Sequence, residues 1–256
     1  MSYLSEVLAD NPTHYWRLAD PPGGIANDIG SLLPQPLWLA PNPSFGTLGN
    51  SGPNSDGGSA VFAASNTLGS VKALHAAMPI SVDWVLWWPG LESPGVQRFP
   101  WGWNDNVAGP FHNILNTGIP AFNFGTGASV PAAVLTDQRW HHFGFTYNGP
   151  AALTFNYYID GVLQPVGATA AQAAFDGKLT LGQRVAAGAS FVGAFSEFAV
   201  YNSVLSGARI AAHSAALSST TAPPVSQAYG GLTGAGTAGV YTDLLQQILQ
   251  SVRSVY

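Results

Sequence analysis

The chain has 256 residues and no cysteine, and charged side chains make up only 8% of it against 46% hydrophobic. That length buries a sizeable core and that apolar share excludes wholesale disorder, while the missing cysteines exclude disulfides and thiolate metal sites. Eight Lys and Arg and a net charge of −5 leave no basic footprint for nucleic acid, and no apolar run is long enough to span a bilayer.

Residues 2–10 place Leu4, Val7 and Leu8 at helical spacing, which predicts a short helix before a first strand at Tyr15–Leu18. The opening Met1-Ser2-Tyr3-Leu4-Ser5-Glu6 carries an acid where a secretory signal carries basic residues, and no apolar stretch follows it. The expectation is therefore synthesis without a signal peptide. From Asp20 to Ser59, Gly, Pro, Asn and Ser dominate, so a long excursion with one or two short strands is expected. Val61-Phe62 opens another strand. Ile80 to Trp88 alternates strictly, with Ile80, Val82, Trp84, Leu86 and Trp88 on one face and Ser81, Asp83, Val85 and Trp87 on the other. Phe99 to Ile114 is rich in aromatics and amides and should hold a strand and a loop; Phe122–Phe124 is a further short strand.

The stretch from Asp137 to Gly167 carries the strongest pattern. Phe143, Phe145 and Tyr147 share one face, as do Leu153, Phe155, Tyr157 and Ile159. Asp160-Gly161 closes the second run with residues that tolerate positive φ, a hairpin signal. Strands at Lys178–Gly182 and Phe191–Tyr201 follow, then a helix capped by Ser206 and running to about His213. Arg209 stands where a Glu would complete a capping box. Residues 218–239 read as a Ser/Thr/Pro/Gly linker. In 240–256, Tyr241, Leu245, Ile248, Val252 and Val255 recur at spacings of four and three, a seam for oligomerisation or anchoring.

Trp140-His141-His142, Thr146-Tyr147 and Tyr158-Ile159-Asp160-Gly161-Val162 resemble the central signature of laminin-G-like, concanavalin-A-like lectin domains. Leu8 to Leu18 resembles the family's opening strand, and Leu179 to Gly182, Gly193 to Tyr201 and Leu205-Ser206 its closing elements. The resemblance implies an all-β fold over residues 1–217: a two-sheet antiparallel jelly-roll sandwich, followed by a linker and a short C-terminal helix. It also implies a binding module rather than an enzyme. A lectin-like sandwich without an export signal fits a virion surface, such as a phage tail or capsid, with host surface polysaccharide and other virion proteins as partners. The expected assembly is a homo-oligomer, a trimer by preference, without membrane insertion. The alternative is a purely structural virion component, a decoration or minor tail protein.

Glycoside hydrolysis needs two carboxylates facing each other across the sugar, and no predicted strand carries two acids at i, i+2 or i+4. His141 and His142 point to opposite faces and cannot share a metal, and the histidines show no zinc-ligand spacing. The expectation is no cofactor. A structural calcium ion has only Asn104-Asp105-Asn106 and Asn54-Ser55-Asp56 as loops to hold it, each with one carboxylate, and turn chemistry is the preferred reading of both. Trp87, Trp101 and Trp103, with Asn104, Asp105 and His112, are the candidate carbohydrate site, and the three indoles read equally well as core or as cover for a protein interface. Indoles stack on the apolar faces of sugars while amides and carboxylates take the hydroxyls. Trp84 and Trp88, sharing a face with Ile80, Val82 and Leu86, are assigned to the core.

Overall fold

The computed structural model describes residues 2–20, 25–31, 35–39, 46–51, 58–62, 68–70, 74–88, 97–103, 110–115, 118–124, 127–129, 131, 135, 139–165, 167–168, 174–182 and 191–217. Among these residues two large antiparallel sheets form a jelly-roll sandwich. The first sheet runs in the order Val162–Leu163, Thr154–Ile159, Trp140–Tyr147, Ile80–Trp87, Gly193–Tyr201, Gly58–Phe62, Gly46–Ser51, with His14–Trp16 and Gly167–Ala168 paired beside it. The second runs Gly127–Ser129, Pro120–Phe124, Phe111–Ile114, Arg98–Trp103, Leu179–Leu181, Leu68–Ser70, Leu37–Leu39, Ile25–Ala26. A two-stranded ribbon pairs Leu74–Ala77 with Ala174–Gly177.

The core follows from the period-two pattern. Ile80, Val82, Trp84, Leu86 and Trp88 all face inward, as do Phe143, Phe145, Tyr147, Phe155, Tyr157 and Ile159. Leu153 departs from the expectation: it precedes its strand and is exposed. The inward faces meet at Trp84, whose ring stacks on Phe143 at 5.6 Å and meets Trp101 of the opposite sheet edge-on at 5.1 Å. Such aromatic pairs add about 0.5–1.5 kcal/mol each beyond their area burial. Asp160 and Gly161 both take positive φ, 50° and 76°, so the predicted hairpin turn forms between Thr154–Ile159 and Val162–Leu163.

The outer face of the first sheet is covered by both helices, α1 (Tyr3–Ala9) and α2 (Gly207–Ala215). Tyr3, Val7, Leu205 and Ile210 form a second apolar cluster with Val85, Trp87, Trp140, Tyr158 and Tyr201. Ser206 caps α2 as expected, its hydroxyl accepting from the Arg209 N–H at 3.2 Å. Two glycines let α2 lie close. A Cβ on Gly144 would sit 3.0 Å from the Ile210 side chain, and one on Gly161 2.9 Å from the Ala211 backbone. None of the described helices is long and apolar enough to cross a membrane. The linker at 218–239 and the C-terminal seam with Tyr241, Leu245, Ile248, Val252 and Val255 lie outside the described residues, as do Asn104, Asp105, Asn106 and the loop 54–56.

Candidate functional site

Four of the side chains in the candidate carbohydrate site, Trp87, Trp101, Trp103 and His112, are buried. Trp101 and Trp103 are fully buried, packed inward among Trp84, Leu179 and Leu181 in the main core. Trp87 is buried under the helices on the opposite face of its strand from Trp84. His112 is enclosed between Trp84 and Phe143, with Nε2 at 3.2 Å from the Tyr157 hydroxyl and Nδ1 without a hydrogen-bond partner among the described residues. Burial pushes the His112 imidazole down to a pKa of about 3, so it is neutral at pH 7. None of these four side chains presents itself to a ligand from solution. Trp101 and Trp103 are enclosed because the inner face of their sheet meets the other sheet, and Trp87 because the helices cover the outer face of its own.

What remains is the outer face of the second sheet, away from the helices. Register places Thr180 beside Gly102, Gly102 beside Phe111, Phe111 beside Asn123 and Asn123 beside Ala128, in one row across five strands. Phe111 alternates with inward His112, so its ring stands outward and is half-buried. Phe99 lies 6.0 Å from it, at a register shift between Arg98–Trp103 and Phe111–Ile114. Asn123 donates from Nδ2 to Asn113 Oδ1 at 2.6 Å, leaving amide groups beside the ring. Gly102 contributes no side chain between Phe111 and Thr180. Gly102 and Thr180 are buried, the Thr180 hydroxyl donating to the Gly102 carbonyl at 3.2 Å, while Phe111 and Asn123 are half-buried.

The first sheet's outer face carries charge, but under cover. Asp83 and His142 are completely buried there, with Asp83 Oδ1 at 2.5 Å from His142 Nε2. His213 of α2 reaches Asp83 Oδ2 through Nδ1 at 2.5 Å and Asp10 through Nε2 at 2.9 Å. Burial opposes the Asp83 carboxylate, but the charges of His142 and His213 and the hydrogen bond with His213 outweigh it and hold its pKa down to about 2. Burial likewise opposes protonation of His213, and Asp83 and Asp10 overcome it and raise its pKa. Glu197 is buried on the same side, accepting from the Tyr15 hydroxyl at 2.7 Å with Arg17 at 3.7 Å. His141 and His142 do diverge as expected: His141 turns to Asp160 at 2.7 Å. His142 nevertheless joins a cluster that the sequence did not reveal.

Residues 99–211 match the family described as the concanavalin A-like lectin/glucanases superfamily. Solved structures show the same fold. Domain 4 of AbnA, a GH43 extracellular arabinanase from Geobacillus stearothermophilus in complex with arabinotriose, is 14% identical at a TM-score of 0.56, covering 80% of this chain and 98% of that one. The binding domain of botulinum neurotoxin serotype G is 11% identical at 0.56, covering 80% and 50%. Trypanosoma rangeli sialidase in complex with sialic acid is 11% identical at 0.58, covering 81% and 33%. No curated protein matches the chain in sequence.

Proposed function

We propose that this protein is a non-enzymatic module that binds surface polysaccharide through the outer face of its second sheet. The carrying observation is the pairing of Phe111 with Asn123 on that face, which sets a half-buried aromatic ring beside a half-buried amide. A sugar ring laid against Phe111 would offer its apolar face to the aromatic and its hydroxyls to Asn123, whose amide Asn113 holds in place. Fold neighbours solved with arabinotriose and with sialic acid support a sugar ligand for this architecture. The acids on the first sheet, Asp83 and Glu197, are buried and committed to partners, which favours binding over hydrolysis. We place the module on a virion surface, a phage tail or capsid, where the seam at 240–256 gathers copies. Several weak sites presented to one cell surface then gain avidity.

The test is binding of the full-length chain to an array of bacterial surface polysaccharides. Binding to a defined class, weakened at least tenfold by Phe111→Ala or Asn123→Ala with the melting temperature preserved, supports the reading. Absence of binding to every polysaccharide, by an assembled oligomer, would leave the structural virion component as the better description.

A further inference from the structure

Asp83, His142 and His213 come from two strands and α2, and each is completely buried. Their ligand-capable atoms lie within 4.8 Å of one another. We propose that Asp83, His142 Nε2 and His213 Nδ1 bind a divalent transition-metal ion, with zinc the best match to two imidazoles and one carboxylate. This inference is independent of the sugar-binding reading, since the cluster lies beneath the helices on the other side of the sandwich.

Three observations support it. The first is alignment: Asp83 Oδ1 and His142 Nε2 are 2.5 Å apart, yet neither has a geometrically sound hydrogen bond among the described residues. Two ligands on one ion at about 2.0–2.2 Å would stand roughly 3.3 Å apart in tetrahedral geometry, so a modest opening of this contact admits the metal.

The second concerns the groups around the cluster. His213 Nε2 is tied to the Asp10 carboxylate at 2.9 Å, and Asp10 in turn accepts from Arg209 Nε at 2.9 Å. A ligating imidazole whose far nitrogen is held by a carboxylate has its tautomer and orientation set for coordination. The Tyr3 ring lies 6.0 Å from His142 and 6.2 Å from His213, and the Tyr201 ring 6.3 Å from His213. Both phenol oxygens are buried without a hydrogen-bond partner among the described residues, and so is His142 Nδ1. A phenol or an enclosed water can complete the fourth position.

The third is charge. Asp83, Asp10 and Glu6 bring three carboxylates to the cluster, and Arg209 is the guanidinium paired with two of them. A divalent ion held by Asp83 would add positive charge among those carboxylates. The site is closed to solvent, as structural zinc sites are, so the ion would rivet α2 to the sheet.

The experiment uses the full-length chain without a polyhistidine tag, analysed for metal as purified. The melting temperature is then measured after chelation and again after zinc is restored, and cobalt(II) is substituted for its visible absorption. About one zinc per chain, a melting temperature several degrees lower after chelation and restored by zinc, and a tetrahedral cobalt spectrum are the expected results. His142→Gln and His213→Gln should each abolish that spectrum. Should either variant fail to fold, the chelation and cobalt measurements on the unaltered chain still decide the matter. Trace metal with identical melting curves in chelator and zinc would overturn the proposal, and so would a cobalt spectrum that survives both substitutions.

Discussion

Asp83 and His213, 130 residues apart in sequence, meet at 2.5 Å beneath α2 with no exposure of either side chain. One residue opens the middle of the sheet and the other closes the domain, so this contact couples the last helix to the central strand. Arg209 adds an outer tie, spanning to Asp10 and to Glu6, both at 2.9 Å, while remaining partly exposed. The two ties should differ in strength. Asp83→Asn leaves buried groups without their counter-charge and should cost about 3–5 kcal/mol, whereas Arg209→Ala should cost about 1 kcal/mol or less. Denaturant unfolding of both variants measures the difference.

Trp101 belongs to the core and Phe111 to the surface. Trp101→Ala would remove a ring that touches Trp84, Phe122 and Phe198, and should cost about 3–5 kcal/mol. Phe111→Ala should cost far less, because that ring is half-buried on an outer face. Thermal melting of the pair distinguishes a structural aromatic from a binding one.

His112 should govern the acid side of the stability curve. Its folded pKa is about 3, against an ordinary value near 6.5, and the Tyr157 phenol is the titratable group bonded to it. Because the unfolded chain takes up the proton first, stability falls as pH drops below 6.5, by about 1.4 kcal/mol per unit, until about pH 3. His112→Phe should flatten that limb, as read from unfolding free energies at pH 7, 6 and 5.

Gly161 and Gly144 test how closely α2 must approach. Gly161→Ala places a Cβ against the helix backbone and at a positive φ, so it should destabilise by about 1–3 kcal/mol. Gly144→Ala meets only the Ile210 side chain, which has freedom to shift, and should cost less. Comparing their denaturation midpoints ranks the two.

Removing residues 240–256 should leave a folded sandwich of lower oligomeric state. Analytical ultracentrifugation of the truncated and complete chains provides the check, and unchanged sedimentation would remove the seam from the assembly.

Much of this architecture was legible in the residue order, because a strand's alternation is a local property. The inward rows from Ile80 to Trp88 and from Phe143 to Tyr147, the Asp160-Gly161 turn and the Ser206 cap all depend on neighbours within a few positions. Alternation also held a clue to the outer face: in Phe111-His112-Asn113-Ile114, His112 shares a side with Ile114, which turns Phe111 and Asn113 outward. What alternation leaves open is whether a given face meets another sheet or meets water. Trp101 and Trp103 read equally well as a cleft or a core until Trp84 arrived from the opposite layer. The buried trio of Asp83, His142 and His213 had no signal at all, since no spacing rule links residues drawn from distant strands and a closing helix. Their meeting is a product of strand pairing and helix docking, which act across the chain rather than along it.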